Sequence, residues 1–288
     1  MDQQAFREDR LATGTDLSIY YRLYGTDAAE RTPLLCLPGY WRNCRDYEVL
    51  GRNFSDQRRV ISPDMRGRGQ SSYSENTDDY LFDRLVEDVI RLLDSLGVEP
   101  VRIAGRTLGA LMALDLASRH PERVAGILFN DCGPEKAQAS VKRQAAYATS
   151  DDFTFDEVVA LIKAQNEGFI KGLDEDGWTR MALRAYRRND KGRWQRDFDL
   201  NTNVATAQQM TERPAFWAEY AAARDLPLAV LRGEHSDYLP PEILDRMVGQ
   251  APGLDVTIVK DRGHPPLLEE PQVIQAVARW LERVDAAK

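Results

Sequence analysis

The chain has 288 residues, 43% hydrophobic and 9% aromatic, which suits one large core or a core with an inserted lobe. Its formal net charge of −8, with no long run of one sign, argues against a nucleic-acid backbone or an anionic membrane as partner. No stretch approaches the roughly 18 apolar residues that span a bilayer, and the acidic start "MDQQAFREDR" has no basic-then-apolar leader pattern. The expectation is a cytoplasmic protein, monomer or homodimer, acting on a small molecule.

In chain order, "FREDRLAT" and "LSIYYRLYG" read as a β-hairpin turning at Gly14. "PLLCLPG" (33–39) is a short apolar strand ending in Pro-Gly, and "RRVISPDMRGRGQS" (58–71) is a strand running into a glycine-rich loop. Leu85, Val89, Leu92, Leu93 and Leu96 share helical spacing within 80–96, and Gly97 stops that helix. A strand at 100–104, a helix at 108–120 and a strand at 124–130 follow. The alternation resumes with strand 227–234, a helix through Met247, strand 255–260 and a last helix from Pro271 to about Val284.

This rhythm predicts a mostly parallel central sheet flanked by helices. Residues 134–225 break it with helical patterns, many aromatics and no convincing buried strand. The expected organisation is a core of 1–133 plus 226–288, with 134–225 inserted as a helical lobe. Cys36, Cys44 and Cys132 have no C-x-x-C spacing and suggest neither disulfides nor zinc.

In an open α/β sheet the functional crevice lies at the carboxyl ends of the strands. After strand 100–104 comes Gly105-Arg106-Thr107-Leu108-Gly109, a tight turn that projects Thr107 above the sheet at the start of a helix. After strand 227–234 comes "EHSDYL" with Asp237, and after strand 255–260 comes "DRGHPPLLEEP" with His264. The order nucleophile, acid, base suits an imidazole that takes the Thr107 proton and a carboxylate that fixes the imidazole tautomer. The backbone N–H groups of Tyr40 and Leu108 would form the oxyanion hole. Asp131, in "LFNDCGPE", is the rival acid; Asp237 is favoured because it alone lies in a Ser-Asp turn.

These motifs carry a resemblance. "LCLPGYWRN", "SPDMRGRGQS", "GRTLG", "LRGEHSD" and "RGHPPLLEEP", in order and at suitable spacing, identify the chain as a member of the α/β-hydrolase superfamily over nearly its whole length apart from the lobe. The resemblance implies an α/β-hydrolase fold in which 134–225 is the cap (lid), a catalytic triad, and no metal or other cofactor. Two departures stand out: Pro38-Gly39 replaces the usual His-Gly of the oxyanion loop, and Thr107 replaces the usual elbow Ser. Thr107 also argues against the dehalogenase and epoxide-hydrolase reactions, which use Asp there.

The expected function is hydrolysis of a small ester, thioester or lactone by Thr107, His264 and Asp237 through a covalent acyl-enzyme. The alternatives are a non-hydrolytic member doing proton transfer with Thr107 and His264, or a binding protein without turnover. Trp41, Arg42, Arg106 and His235 are the candidate substrate contacts. Arg106 reads either as an ion pair with a nearby carboxylate or, with Arg42, as a clamp for an anionic substrate. The lobe aromatics Tyr147, Phe153, Phe155, Trp178, Trp194, Phe198, Phe216, Trp217 and Tyr220 suggest an apolar or aromatic substrate, although most must pack the lobe. Arg180, Arg184, Arg187, Arg188, Arg193 and Arg196 read as a solvated face.

Overall fold

The computed structural model describes residues 6–14, 16–26, 31–135 and 152–286. Its strands are β1 (Arg7–Ala12), β2 (Ser18–Tyr24), β3 (Arg31–Leu37), β4 (Arg58–Pro63), β5 (Val101–Gly105), β6 (Val124–Asn130), β7 (Tyr186–Arg188), β8 (Trp194–Arg196), β9 (Leu228–Gly233) and β10 (Asp255–Val259). Its α-helices are α1 (Glu48–Phe54), α2 (Phe82–Leu96), α3 (Leu108–Arg119), α4 (Phe155–Asn166), α5 (Glu175–Ala185), α6 (Thr202–Glu212), α7 (Trp217–Ala222), α8 (Pro241–Gln250) and α9 (Pro271–Ala286).

Eight strands form one sheet in the order β1-β2-β4-β3-β5-β6-β9-β10. The pairings β1–β2 and β2–β4 are antiparallel, and every later pairing is parallel. Successive central-strand residues face opposite layers, as the period of two requires. Ile103, Ile127, Phe129 and Val230 join the core shared with α2 and α3, whereas Ala104, Leu128, Ala229 and Leu231 join the layer beneath α1 and α9. Burial on both faces explains why these strands are apolar runs rather than alternating ones. Trp280 of α9, fully buried, donates from Nε1 to the Pro227 carbonyl at 2.9 Å and locks the last helix under the sheet.

Between β6 and β9 the chain leaves the sheet. Val158, Ile162, Ile170, Trp178, Ala182, Ala185 and Tyr186 make a small core of their own. Two features differ from the reading of 134–225 as one helical lobe. The short antiparallel pair β7–β8 lies inside it; three-residue strands carry too little pattern to be read. The residues of its last helix and flanks, Phe216, Tyr220 and Ala223, belong to the main core, so by packing α7 sides with the sheet layer. Tyr147 lies outside the described residues.

α1 was not legible because its seven residues include a mid-helix Gly51, which lies against the Tyr24 ring. Cys36, Cys44 and Cys132 are buried and unpaired as disulfides. Among the described residues no helix is long and apolar enough to cross a membrane.

Candidate active site

Thr107 sits between β5 and α3 with φ 45° and ψ −106°, the strained turn that points its side chain off the sheet. The flanking glycines make this turn sterically feasible. A Cβ at Gly109 would stand 2.0 Å from the Leu37 carbonyl oxygen, so helix and strand approach closely only without a side chain there. Gly39 serves the hydroxyl directly, since a Cβ on it would lie 2.6 Å from Thr107 Oγ1. The Thr107 N–H points to Cys132 Sγ at 3.3 Å. Burial pushes the Cys132 thiol up to about 12, so it stays a neutral prop under the turn.

His264 follows β10 and lies beside Asp131. Its Nδ1 is 2.8 Å from Asp131 Oδ2 and 3.0 Å from the Asp131 carbonyl oxygen. Asp131 stands just past β6 with φ 54°, fully buried. Its Oδ1 accepts from the Gly233 N–H at 2.8 Å, and its Oδ2 also accepts from Ser236 Oγ at 2.7 Å. The carboxylate on His264 Nδ1 is that of Asp131, the rival to the expected Asp237. The "RGEHSD" turn, through Gly233 and Ser236, cradles a carboxylate that stands just past β6, the strand next to β9 on the side of the sheet centre. Tyr238, from the same turn, stacks on the imidazole with ring centroids 3.9 Å apart and 12° between planes. Three hydrogen bonds on Asp131 and one stacked ring thus fix the imidazole with Nδ1 toward the carboxylate and Nε2 on the far side of the ring.

A cavity of about 150 Å³ opens over this group. Thr107, His264, Gly39, Tyr40, Trp41 and Asn130 line its floor and near wall. Phe198, Ile162, Ile170, Met181 and Leu267 supply apolar surface. Three of the four non-glycine residues with positive φ among the described residues, Thr107, Asp131 and Leu268, belong to this site or its wall, consistent with strain gathered where chemistry is held.

The Tyr40–Trp41 loop, expected to carry the oxyanion hole, is tied down from several sides. Arg68 Nε donates to the Tyr40 carbonyl at 2.8 Å, Tyr40 Oη to Gln209 Oε1 at 2.6 Å, and Trp41 Nε1 to Asn203 Oδ1 at 2.7 Å. Burial pulls the Arg68 pKa down to about 10, yet it stays charged at neutral pH. Leu108 opens α3, so its N–H is one of those that a helix start leaves for an external acceptor. Asp64 and Arg66 brace the glycine-rich loop: Asp64 accepts from the Cys44 and Gln70 N–H groups, and Arg66 grips Asp88 at 2.6 and 2.8 Å.

The candidate substrate contacts divide. Trp41, Arg42 and Arg106 line the cavity, whereas His235 is exposed on the outer side of its turn and does not reach it. Its backbone N–H bonds the Arg262 carbonyl, which turns the side chain outward. Of the lobe aromatics in the described residues only Phe198 lines the cavity; Phe216 and Tyr220 are in the main core. The arginine run is not one solvated face, because Arg184 and Arg196 line the cavity with Arg42 and Arg106. Asp46, which sequence reading missed, accepts from Arg42 Nε at 2.7 Å and from Arg106 Nη1 at 3.0 Å. The four-residue spacing in "RNCRD" was the available signal.

A family model described as the alpha/beta hydrolase fold matches residues 32–271. The chain belongs to the α/β-hydrolase family. It is similar to the 3-hydroxybutyrate-oligomer hydrolase of Cupriavidus necator, 29% identical over 264 residues that cover 88% of this chain and 89% of the relative. A shorter likeness, 50% identity over 77 residues and 26% of each chain, joins it to the 2-hydroxymuconate semialdehyde hydrolase of Pseudomonas putida. Among solved structures, an α/β hydrolase from Novosphingobium aromaticivorans superposes with a TM-score of 0.90 at 31% identity, covering 98% of this chain and 99% of that one. The protein is an esterase-like α/β-fold hydrolase with the mostly parallel, helix-flanked sheet that the family implies.

Proposed function

We propose that the protein hydrolyses a small acyl compound through Thr107, His264 and Asp131, by way of an acyl-enzyme on Thr107 Oγ1. The observation that carries this reading is the buried Asp131 carboxylate on His264 Nδ1 at 2.8 Å, with His264 and Thr107 lining one cavity. Held in this way, the imidazole carries its proton on Nδ1 and offers Nε2 as base. Thr107 Oγ1 attacks the acyl carbon as its proton passes to His264 Nε2. The carbonyl oxygen becomes an oxyanion facing the Tyr40 and Leu108 N–H groups. Collapse breaks the bond to the leaving group, which takes the proton from His264. Water then repeats the sequence: His264 removes its proton, the hydroxide adds to the acyl carbon, and Thr107 leaves with the proton returned.

The name of the Cupriavidus relative supports an ester of an aliphatic acid as the substrate type, and the aliphatic wall of Ile162, Ile170, Met181 and Leu267 suits such a chain. The segment between β6 and β9 contributes several of those residues and so acts as the lid that sets specificity. The test is a panel of p-nitrophenyl esters of two to eight carbons with the wild type and Thr107→Ala, Thr107→Ser and His264→Ala. Turnover that is lost in Thr107→Ala and His264→Ala and kept in Thr107→Ser supports the reading. Equal turnover in Thr107→Ala removes the covalent step.

A further inference from the structure

We propose that the substrate carries a free carboxylate, seated on Arg106 and Arg42 beside Thr107. The inference rests on the hydrolytic reading above and narrows it to acidic esters. Its basis is a charge imbalance. Four guanidiniums, those of Arg42, Arg106, Arg184 and Arg196, line the cavity, against a single carboxylate, Asp46. Asp46 is shared: Arg42 takes both of its oxygens and Arg106 takes Oδ2 as well. The carboxylates outside the lining are also engaged. Glu269 lies 2.9 Å from Arg184 and 3.6 Å from Arg180, and Asp197 holds Arg45 and lies 3.4 Å from Arg187. By direct contact Arg42 and Arg106 therefore share one negative charge and keep one positive charge in surplus, with Asp197 acting on Arg42 only at longer range.

That surplus is held in poor solvent. The side chains of Arg42 and Arg106 are only 19% and 20% exposed. Burial pushes the Arg106 pKa below its usual value while Asp46 opposes the change. A buried cation without its own counter-ion is costly, and a fold keeps one where an anion is to be received. Nε and Nη2 of Arg106 meet no acceptor among the described residues, and a guanidinium fork suits two carboxylate oxygens. Position adds to chemistry. Arg106 precedes Thr107 in the chain, and its Cγ and Cδ pass 3.6 Å from where a Gly39 Cβ would stand. A carboxylate held there belongs to the molecule whose ester lies on Thr107.

Matched pairs test this without dependence on any variant's folding. Hydrolysis of 3-acetoxybutanoate against 3-acetoxybutanamide, and of monoethyl glutarate against its monoamide, is followed by pH-stat with the wild type. In at least one pair the carboxylate member is expected to have a kcat/KM about ten- to a hundredfold higher, the worth of one charge-assisted contact in a buried site. Arg106→Gln should bring that ratio close to one, chiefly through KM, and Arg106→Lys should recover part of it; Arg42→Gln gives an independent second variant. Equal rates within both pairs, or a ratio that Arg106→Gln leaves unchanged, overturns the clamp while the hydrolase reading stands. No ester hydrolysis at all overturns the hydrolase reading instead. Calorimetry of glutarate with Thr107→Ala then still decides the clamp: binding weakened tenfold by Arg106→Gln supports it, and no binding overturns it.

Discussion

His264 Nδ1 lies 2.8 Å from Asp131 Oδ2, joining a loop after β10 to a residue just past β6 while the Ser-Asp turn after β9 wraps both. The two aspartates should therefore behave very differently. Asp131→Asn is expected to lower kcat on p-nitrophenyl esters by about a thousandfold or more, because the amide favours the wrong imidazole tautomer. Asp237→Asn should stay within about threefold of wild type, because the carboxylate seated on His264 Nδ1 is that of Asp131. Steady-state kinetics on the two purified variants checks the pair. A loss in Asp237→Asn equal to that in Asp131→Asn would return the acid role to Asp237.

Thr107 is β-branched at φ 45°, where such a side chain is poorly accommodated. Thr107→Gly is expected to abolish ester turnover and to raise stability by about 1 kcal/mol, as backbone strain of this kind costs roughly 1–3 kcal/mol. Thr107→Ser should retain the hydroxyl, remove the methyl and turn over p-nitrophenyl acetate about tenfold faster, since a fraction of an ångström in the attacking atom's position is felt in the rate. Urea denaturation and initial rates measure the two effects separately. A Thr107→Ser rate below that of the wild type would mean that the methyl orients the hydroxyl instead of crowding it.

Much of the fold was readable because its signals are local. Alternating β and helical periods, Gly97 at a left-handed helix end (φ 60°) and the Gly105–Gly109 turn each depend on a few neighbouring residues. Strands β5, β6, β9 and β10 are each within about one residue of their expected bounds for that reason. The choice between Asp131 and Asp237 was different in kind. Both follow strands at the same edge, and only the spatial register of β6 beside β9, with a positive φ at Asp131, decides which carboxylate faces the imidazole. The double use of Asp46 by Arg42 and Arg106 was hidden likewise, since sixty residues separate Asp46 from Arg106.

Gly39 offers a steric test of the position of the proposed nucleophile. With a Cβ 2.6 Å from Thr107 Oγ1, Gly39→Ala must displace the hydroxyl or the oxyanion loop. The expected result is a fall in kcat of about a hundredfold with a circular-dichroism spectrum like the wild type's. Full activity would place the reacting hydroxyl away from the oxyanion loop.

Asp46 gives a pH signature. Burial alone would raise its pKa, but Arg42 and then Arg106 outweigh that and hold it at about 2, below its ordinary 3.8. A depressed carboxylate contributes stability above its unfolded pKa, and the contribution is lost as pH falls through its folded value. The wild type should therefore exceed Asp46→Asn by on the order of 2 kcal/mol at pH 5 to 7, and the gap should close between about pH 4 and pH 2. Urea midpoints across that range measure it. A gap independent of pH would show that Asp46 acts by packing alone.

The most direct test of Thr107 as nucleophile is peptide-mapped mass spectrometry after reaction with a p-nitrophenyl alkylphosphonate. The expected result is one phosphonyl group on the peptide containing Thr107, formed with release of p-nitrophenol and absent in Thr107→Ala and His264→Ala. No adduct on Thr107 in a protein that still hydrolyses esters, or an adduct on another side chain, would contradict it.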